Sequence, residues 1–415
     1  MITLDFGALA ARRPTAQQSS SRKSLSQLSL AVARSKRIIV ITGAGISCSS
    51  GIPDFRSSDG LYNMVKSRYP DVVMKGRDLF DASLFRDPTS TQLFYTFMAE
   101  LKASIDAATP SPTHRFIKTL HTKGKLLRSY TQNIDGLEEQ AGLVGTSSSA
   151  ASKKGKGTLK NLKDIKSVQL HGDIHRVRCT ICSAEYRCEQ HHVEAFRTGE
   201  PPSCPDCSVR CQDRVARAAR ALAVGTLRPS IVLYEEVHPL GDEIGTISAR
   251  DLSRRPDLLI IMGTSLKVHG IKKLVKDFAS AVHNTPPPSL PTRNKTCVNP
   301  FSRKVVFINR TPPAGEWEGV IDYWVKSDTD PWVQKCEEDW KRFRPADWEV
   351  QGTLVGNPIL SPNVPSKNAF KVVKRTPRAV KRELAPTWHL LDFPCTDYLP
   401  KYSRQRERDQ TESRG

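Results

Sequence analysis

"RIIVITGAGISCSSGIPDFRS", Arg37 to Ser57, carries the two signals from which the fold follows. Its opening run is apolar without a polar face, which is how a strand buried from both sides reads. Gly43, Ala44 and Gly45 then end that strand, where backbone N–H groups and a helix start can approach a pyrophosphate. The usual dinucleotide fingerprint is Gly-x-Gly-x-x-Gly. Here Cys48 stands at the third glycine and the next glycine is Gly51, so the match is incomplete. A phosphate loop also has no evident use for Pro53, Asp54, Phe55 and Arg56. They ask for a nucleotide site that does more than hold phosphates.

The same texture recurs outward from that stretch. Short apolar runs stand at "LLRSYT" (126–131), "SIVLY" (230–234), "LLIIMG" (258–263) and "KVVFIN" (304–309). Helical stretches such as "PTSTQLFYTFMAELKASI" (88–105) alternate with them. Strands of this kind separated by helices predict an α/β fold with a doubly wound parallel sheet covered on both faces. "SLSQLSLAVARSKR" (24–37) has apolar residues at helical spacing and predicts a helix leading into the first strand.

Of 415 residues 38% are hydrophobic, enough for a core but low for the whole length to be globular, so disordered ends are expected. Residues 1–24, rich in Ser, Gln and Arg, read as one such end. The periodic signal fades beyond about residue 345, and 346–415 reads as a basic, largely disordered tail. Between Ser361 and Arg382 the tail carries seven Lys/Arg and no acid. "KVVKRTPRAVKR" (371–382) suits nuclear import or a nucleic-acid contact, and equally a solvated tail. "GTSSSAASKKGKGTLKNLK" (145–163) reads as a flexible surface insertion and "VHNTPPPSLPTRNKT" (282–296) as a Pro-rich loop. No apolar stretch approaches the ~20 residues that span a membrane. The N-terminus lacks the apolar core of a secretory signal. A net charge of +20 favours an acidic partner such as nucleic acid or chromatin.

Three constellations carry chemistry. "YTQNIDGLEEQAGL" (130–143) follows a strand, so Asn133 and Asp135 fall at the carboxyl end of a parallel sheet, where ligands bind. Helix capping is the competing use of the same two residues. In "VQLHGDIHRVRCTIC" (168–182), His171 follows an apolar triplet and precedes Gly172, so its imidazole can project into a cleft mouth. Histidine is neutral at physiological pH yet basic enough to take a proton, although a lone histidine is more often structural. The most specific signal is Cys179-x-x-Cys182 with Cys204-x-x-Cys207, separated by 21 residues. Two such turns present four thiolates to one zinc in a closed tetrahedron, with no water to activate, so this zinc is structural. With no secretory signal, this use of four of the ten cysteines points to a reducing compartment rather than disulfides. Cys188, Cys211, His191 and His192 lie nearby but break the paired spacing.

Together these residues resemble the sirtuin family, the NAD-dependent protein deacylases. "GAGISCSSGIPDFRS" is similar to the family's NAD loop and "TQNIDGLE" to its second motif. "LHGDIHRVRC" is similar to its catalytic histidine running into the zinc module. "GTLRPSIVLYEE" resembles the substrate-binding strand, "GTSLKV" the phosphate and ribose contacts, and "FIN" (307–309) the adenosine ribose site. The likeness covers about residues 25–345, read as one catalytic domain. It implies a Rossmann-like NAD domain with a smaller zinc-binding and helical module, about 172–222.

The resemblance implies NAD and Zn2+ as cofactors. Ala44, Ile52, Pro53, Asp54 and Phe55 would line the nicotinamide pocket with Asn133, Ile134 and Asp135, and Arg56 would sit beside the phosphates. Gly43, Gly45, Gln132, Gly263, Thr264, Ser265 and Asn309 complete the cofactor contacts. In the family reaction the acyl oxygen of a substrate lysine attacks the ribose carbon as nicotinamide leaves. A ribose hydroxyl then attacks the acyl carbon. Asn133 would position the attacking groups and His171 would take the proton, giving free lysine, O-acyl-ADP-ribose and nicotinamide. "LRPSIVLYEEVHP" and the segment from Val305 to Val333 resemble the fungal nuclear branch that deacetylates histone H3. This places the expected activity in the nucleus, on chromatin. One departure stands out: Glu235 occupies a position where the family has glycine, beside the strand that pairs with the peptide. Rival readings are a catalytically weak NAD-binding chromatin scaffold with a blocked groove, a zinc-dependent nucleic-acid binder, and a deacylase of other acyl groups.

Overall fold

Runs of Ile, Leu and Val with no polar side have to be covered from both faces, and the computed structural model places them so. It describes residues 1–10, 13, 15–54, 60–68, 76–147, 153–154, 158–159, 162–285, 301 and 303–349. The strands are β1 (Ile2–Asp5), β2 (Ile38–Thr42), β3 (Leu126–Thr131), the two-residue β4 (Lys153–Lys154) and β5 (Thr158–Leu159), and β6 (Ser167–Gln169). They continue with β7 (Gly172–Cys179), β8 (Glu185–Arg187), β9 (Leu227–Ile231), β10 (Leu258–Met262), β11 (Val305–Asn309) and β12 (Tyr323–Lys326). The first helices are α1 (Ala16–Arg34), α2 (Leu61–Arg68), α3 (Pro88–Asp106), α4 (Pro112–Thr122) and α5 (Leu137–Gln140). After them come α6 (Gln190–Arg197), α7 (Pro205–Ala216), α8 (Gly241–Ser253), α9 (His269–His283) and α10 (Thr329–Phe343).

Seven strands form one sheet in the order β1-β12-β11-β10-β2-β3-β6, and every pairing is parallel. On one face α1, α4 and α10 bring Leu28, Val32, Phe116, Trp332 and Trp340 onto Ile38, Val40 and Ile260. On the other, α8 and α9 bring Ile247, Val275 and Phe278 onto Ile39, Ile41 and Ile261. From β2 the chain proceeds to β3 on one side and later to β10 on the other. The switch point therefore lies between β2 and β10, where such sheets open a crevice beyond their carboxyl ends.

A second core lies against this sheet. Helices α2, α3 and α6 pack on a three-stranded antiparallel sheet, β8-β7-β9. Tyr95 of α3 stacks on Phe196 of α6 at 5.2 Å, and Cys179, Cys204 and Cys207 belong to the same cluster. The smaller module thus shares its core with α3, upstream of residue 172.

The N-terminus corrects the sequence reading. The described residues within 1–24 are not a disordered end: β1 pairs with β12, Ile2 opposite Tyr323, and α1 begins at Ala16 rather than Ser24. A capping box starts that helix. Thr15 Oγ1 accepts from Gln18 N–H at 3.2 Å, and Gln18 Oε1 accepts from Thr15 N–H at 2.9 Å. Buried Leu25, Leu28 and Val32 then seat the helix on the sheet. At the other end, order passes residue 345: Trp348 packs on Trp340 at 5.4 Å, and Trp340 Nε1 donates to Asp347 at 2.8 Å. The tail from 350, most of the Pro-rich loop (286–296 of 282–296) and much of the insertion lie outside the described residues.

Candidate active site

The site residues converge because they all end parallel strands. Gly43 to Gly45 follow β2, Gln132 to Asp135 follow β3, His171 follows β6, Gly263 to Ser265 follow β10, and Asn309 ends β11. Gly43, Ala44, Gly45, Asp54, Gln132, Asn133, Ile134, His171, Gly263, Thr264, Ser265 and Asn309 all line one cleft of about 3130 Å³. That is several times the ~300–1,000 Å³ of a single small-molecule pocket, so a dinucleotide and an acylated side chain fit together. Ile52 and Asp135 are buried behind the lining, 6% and 4% exposed. Phe55 and Arg56 lie outside the described residues.

The glycines also serve a purpose that the sequence did not show. Gly43 N–H donates to Met262 O at 3.1 Å and Gly45 N–H to Gly263 O at 2.8 Å, so these donors hold the β10 loop rather than a phosphate. A Cβ on Gly43 would sit 2.7 Å from Thr264 Cβ, and one on Gly45 would sit 2.8 Å from Gly263 Cα. Gly263 has φ +61° and is equally tight against Ile46. Two backbone loops touch here, and only glycine allows it. No long helix follows β2 either: the chain makes two short 3-10 turns, Ala44–Ile46 and Cys48–Ser50.

Behind them, Ser47 ties the motifs together. Its Oγ donates to Asp135 Oδ2 at 2.7 Å and accepts from Asn133 Nδ2 at 3.0 Å. Asn133 Oδ1 is then left buried with no partner. A buried acceptor in a cleft wall is unfavourable until something donates to it, and ribose hydroxyls or a carboxamide supply such donors. Gln132 Nε2 donates to Thr264 Oγ1 at 2.8 Å, bracing β3 against β10 across the switch point. Asn309 Nδ2 is turned onto Thr311 Oγ1 at 3.0 Å. The capping alternative is also partly realised, since Asp135 Oδ1 accepts from Leu137 N–H at 3.1 Å at the start of α5.

His171 Nδ1 lies 2.9 Å from the carbonyl oxygen of Gln132. A carbonyl can only accept, so Nδ1 carries a proton, and in the neutral ring Nε2 is the basic nitrogen. Gly172 has φ +83° and its Cβ would fall 2.2 Å from Ser230 O, which fixes the turn that aims the ring. A second imidazole, His238, lines the same cleft; burial and then His171 push its pKa down to about 4, so it stays neutral.

Sequence reasoning missed Ser47, His238, and the buried His114 and Glu138 that surround the expected Asp135, the polar atoms of the three lying within 4.8 Å of one another. Burial, reinforced by Glu138, raises the Asp135 pKa to about 6. Burial pushes His114 down to about 4. Ser47 had a signal in its place inside the glycine loop; His114, on α4, had none.

The expected peptide edge continues β9. Val232 N–H donates to His171 O at 2.9 Å, and Tyr234 exchanges backbone bonds with Phe80 and Ala82. Burial would raise the Glu236 pKa, but the hydrogen bond and charge of Arg228, the Leu233 N–H and the charge of Arg178 together outweigh it and hold it low. Glu235 is exposed, lines the cleft, and has φ +65°, the left-handed conformation that suits glycine.

The four cysteines meet as the spacing predicts. Cys179 and Cys207 sulfurs are 3.7 Å apart, and those of Cys182 and Cys204 are 3.6 Å apart. A tetrahedron with Zn–S of ~2.3 Å has edges of about 3.8 Å, so these residues fit zinc. Ile181 and Cys182 N–H groups point at Cys179 Sγ at 3.3 and 3.4 Å. His192 instead caps α6, accepting from Glu189 N–H at 3.1 Å.

Comparison with known proteins agrees with this geometry. The Sir2 family model matches residues 43–151 and 158–270. An NAD-dependent histone deacetylase HST3 of Candida albicans is 40% identical over 350 residues, 81% of this chain and 68% of its own length. The HST3 of Saccharomyces cerevisiae is 43% identical over 314 residues, 74% of this chain and 66% of its own. The NAD-dependent protein deacetylase hst4 of Schizosaccharomyces pombe is 38% identical over 304 residues, 73% and 66% of the two chains. The chain therefore matches about two thirds of these relatives' length. In fold it is similar to a Sir2 homolog solved with NAD, with a TM-score of 0.53 at 22% identity over 77% of this chain and 94% of that one.

Proposed function

The chain belongs to the Sir2 family, and on that premise we propose that it is an NAD-dependent protein lysine deacetylase acting on acetylated histone, histone H3 foremost, in the nucleus. The observation that carries this reading is His171. Its Nδ1 is engaged by Gln132 O at 2.9 Å, which makes the opposite nitrogen the basic one in the neutral ring, and the ring lines a cleft with an unsatisfied Asn133 acceptor in its wall.

NAD, when bound, supplies an electrophilic ribose carbon and a neutral leaving group, nicotinamide. Each remaining role falls to residues of this chain. Asn133 Oδ1 accepts from the ligand and fixes its angle, because Ser47 already holds the amide nitrogen. Asp135 backs that wall and supplies negative charge to a cationic ring. His171 Nε2 takes a proton from a ribose hydroxyl, a step for which a positioned base contributes about 10²–10⁴ in rate. The segment after β9 supplies backbone for an extended peptide and leads the acyl-lysine past His171. The four-thiolate zinc ties the end of β7 to the start of α7 and has no open position for chemistry.

Histone as substrate is supported by the two HST3 relatives, which are named for it. The basic tail, including 371–382, suits import or a contact with nucleic acid. The test is nicotinamide release from NAD with and without an acetylated H3 peptide. One nicotinamide should appear for each lysine freed, and none without peptide. Release that ignores the peptide would make the protein an NAD hydrolase instead.

A further inference from the structure

The zinc module carries a surface that neither catalysis nor metal binding uses. Helix α7 turns only one side inward: Cys204, Cys207, Ser208 and Cys211 are buried or half-buried, and everything from Gln212 to Val224 is exposed. That exposed run is unusually apolar. Val215, Leu222 and Val224 are 57%, 44% and 39% exposed, and Ile181, beside them across Gly225, is 58% exposed. Five of the ten large apolar side chains exposed among the described residues lie in this one module, which marks a site of association rather than scattered surface residues. Four arginines interleave with them, Arg210, Arg214, Arg217 and Arg220, against Asp206 and Asp213. The helix ends at Ala216, and Ala218, at φ +55°, turns the chain back so that Arg214 Nε donates to the Arg220 carbonyl at 3.0 Å, which holds the exposed run against the helix end.

We propose that this arginine and aliphatic face of the zinc module docks the globular part of the histone substrate, gripping an acidic protein surface that presents an apolar depression. The inference rests on the histone reading above and adds a second point of contact to it. A phosphate backbone would use the arginines but leave Val215 and Leu222 in water, whereas an acidic protein surface uses both. The geometry also sets a reach. β7 runs directly from the residue after His171 to Cys179, a span of about 26 Å at ~3.3 Å per residue, and the face lies beyond that far end. A partner held there presents a lysine on an extended tail to the base.

The test compares zinc-loaded full-length protein with two double variants, Val215→Ser with Leu222→Ser and Arg217→Ala with Arg220→Ala. All four residues are exposed and away from the thiolates. Binding is measured to reconstituted nucleosomes and to the same DNA without histones, beside deacetylation of an acetyl-H3 peptide. Each variant should lose about tenfold in nucleosome affinity while keeping wild-type zinc content, DNA binding and peptide kcat/KM. Wild-type nucleosome affinity in the aliphatic variant would overturn the proposal. So would an arginine variant whose loss is equal on free DNA, which would make the face a phosphate contact. Peptide deacetylation missing from the wild type would instead overturn the deacetylase reading, and the binding arm would still report on docking.

Discussion

Asp135 shows how much of the site's behaviour rests on one carboxyl. Burial lifts its pKa to about 6, while His114 beside it is pushed down to about 4. For stability the two oppose. Between about pH 4 and 6 the folded Asp135 holds a proton that the unfolded chain has lost, so its contribution falls as pH rises. Over the same range folded His114 has lost a proton that the unfolded chain keeps, so its contribution rises. Their near-cancellation leaves ligand binding as the pH-dependent property. A cationic nicotinamide ring favours ionised Asp135, so KM for NAD should fall as pH rises from about 5 to 7 and then level off. Asp135→Asn should flatten that profile, and an unchanged profile would remove Asp135 from the pocket. Glu235 is the other telling residue. Its left-handed backbone costs about 1 kcal/mol relative to glycine. Glu235→Gly should therefore raise the unfolding midpoint by about 2 °C. It should also erase any preference for basic over acidic acetyl-peptides, through KM for peptide and not for NAD. If both enzymes treat the two peptides alike, Glu235 does not face the substrate.

At the scale of elements, the zinc module is the clearest dependence of structure on a ligand. Cys179, Cys182, Cys204 and Cys207 join the ends of β7 and α7, and β9 returns from there to the peptide edge. Cys207→Ser, or chelation, should release one zinc per chain and open amide exchange in β8 and α7, with deacetylation lost through misplacement of the edge. Activity that survives loss of the zinc would contradict this dependence. These thiolates were legible in the sequence because the two turns are local and their spacing has few other uses. The buried strands were legible for the same reason. β1 was not, because its partner β12 lies at the far end of the chain and "ITLD" alone has no distinguishing pattern. The glycine loop was found, but not the packing role of its glycines. Its partners, Met262 and Gly263, are more than two hundred residues away, so their hold on the glycine N–H groups could not be seen locally. His114 belongs with it: only the fold brings α4 behind β3.

The whole molecule is a cleft between two cores, the parallel sheet on one side and the α3 and zinc module on the other, with His171 on the short link from β6 to β7. That link explains why residue order, more than any single motif, carried the functional reading. Separate loops from five strands had to meet at one edge, and they do. The central claim is that His171 is the base of an NAD-dependent deacetylation and nothing more. It is tested by following two reactions of His171→Ala on an acetylated H3 peptide: lysine deacetylation, and exchange of labelled nicotinamide into NAD, which precedes the proton transfer. Deacetylation should fall by about 10² or more, while exchange persists and the protein stays folded. Deacetylation at near wild-type rate, or loss of both reactions in a folded variant that still binds NAD, would contradict the account.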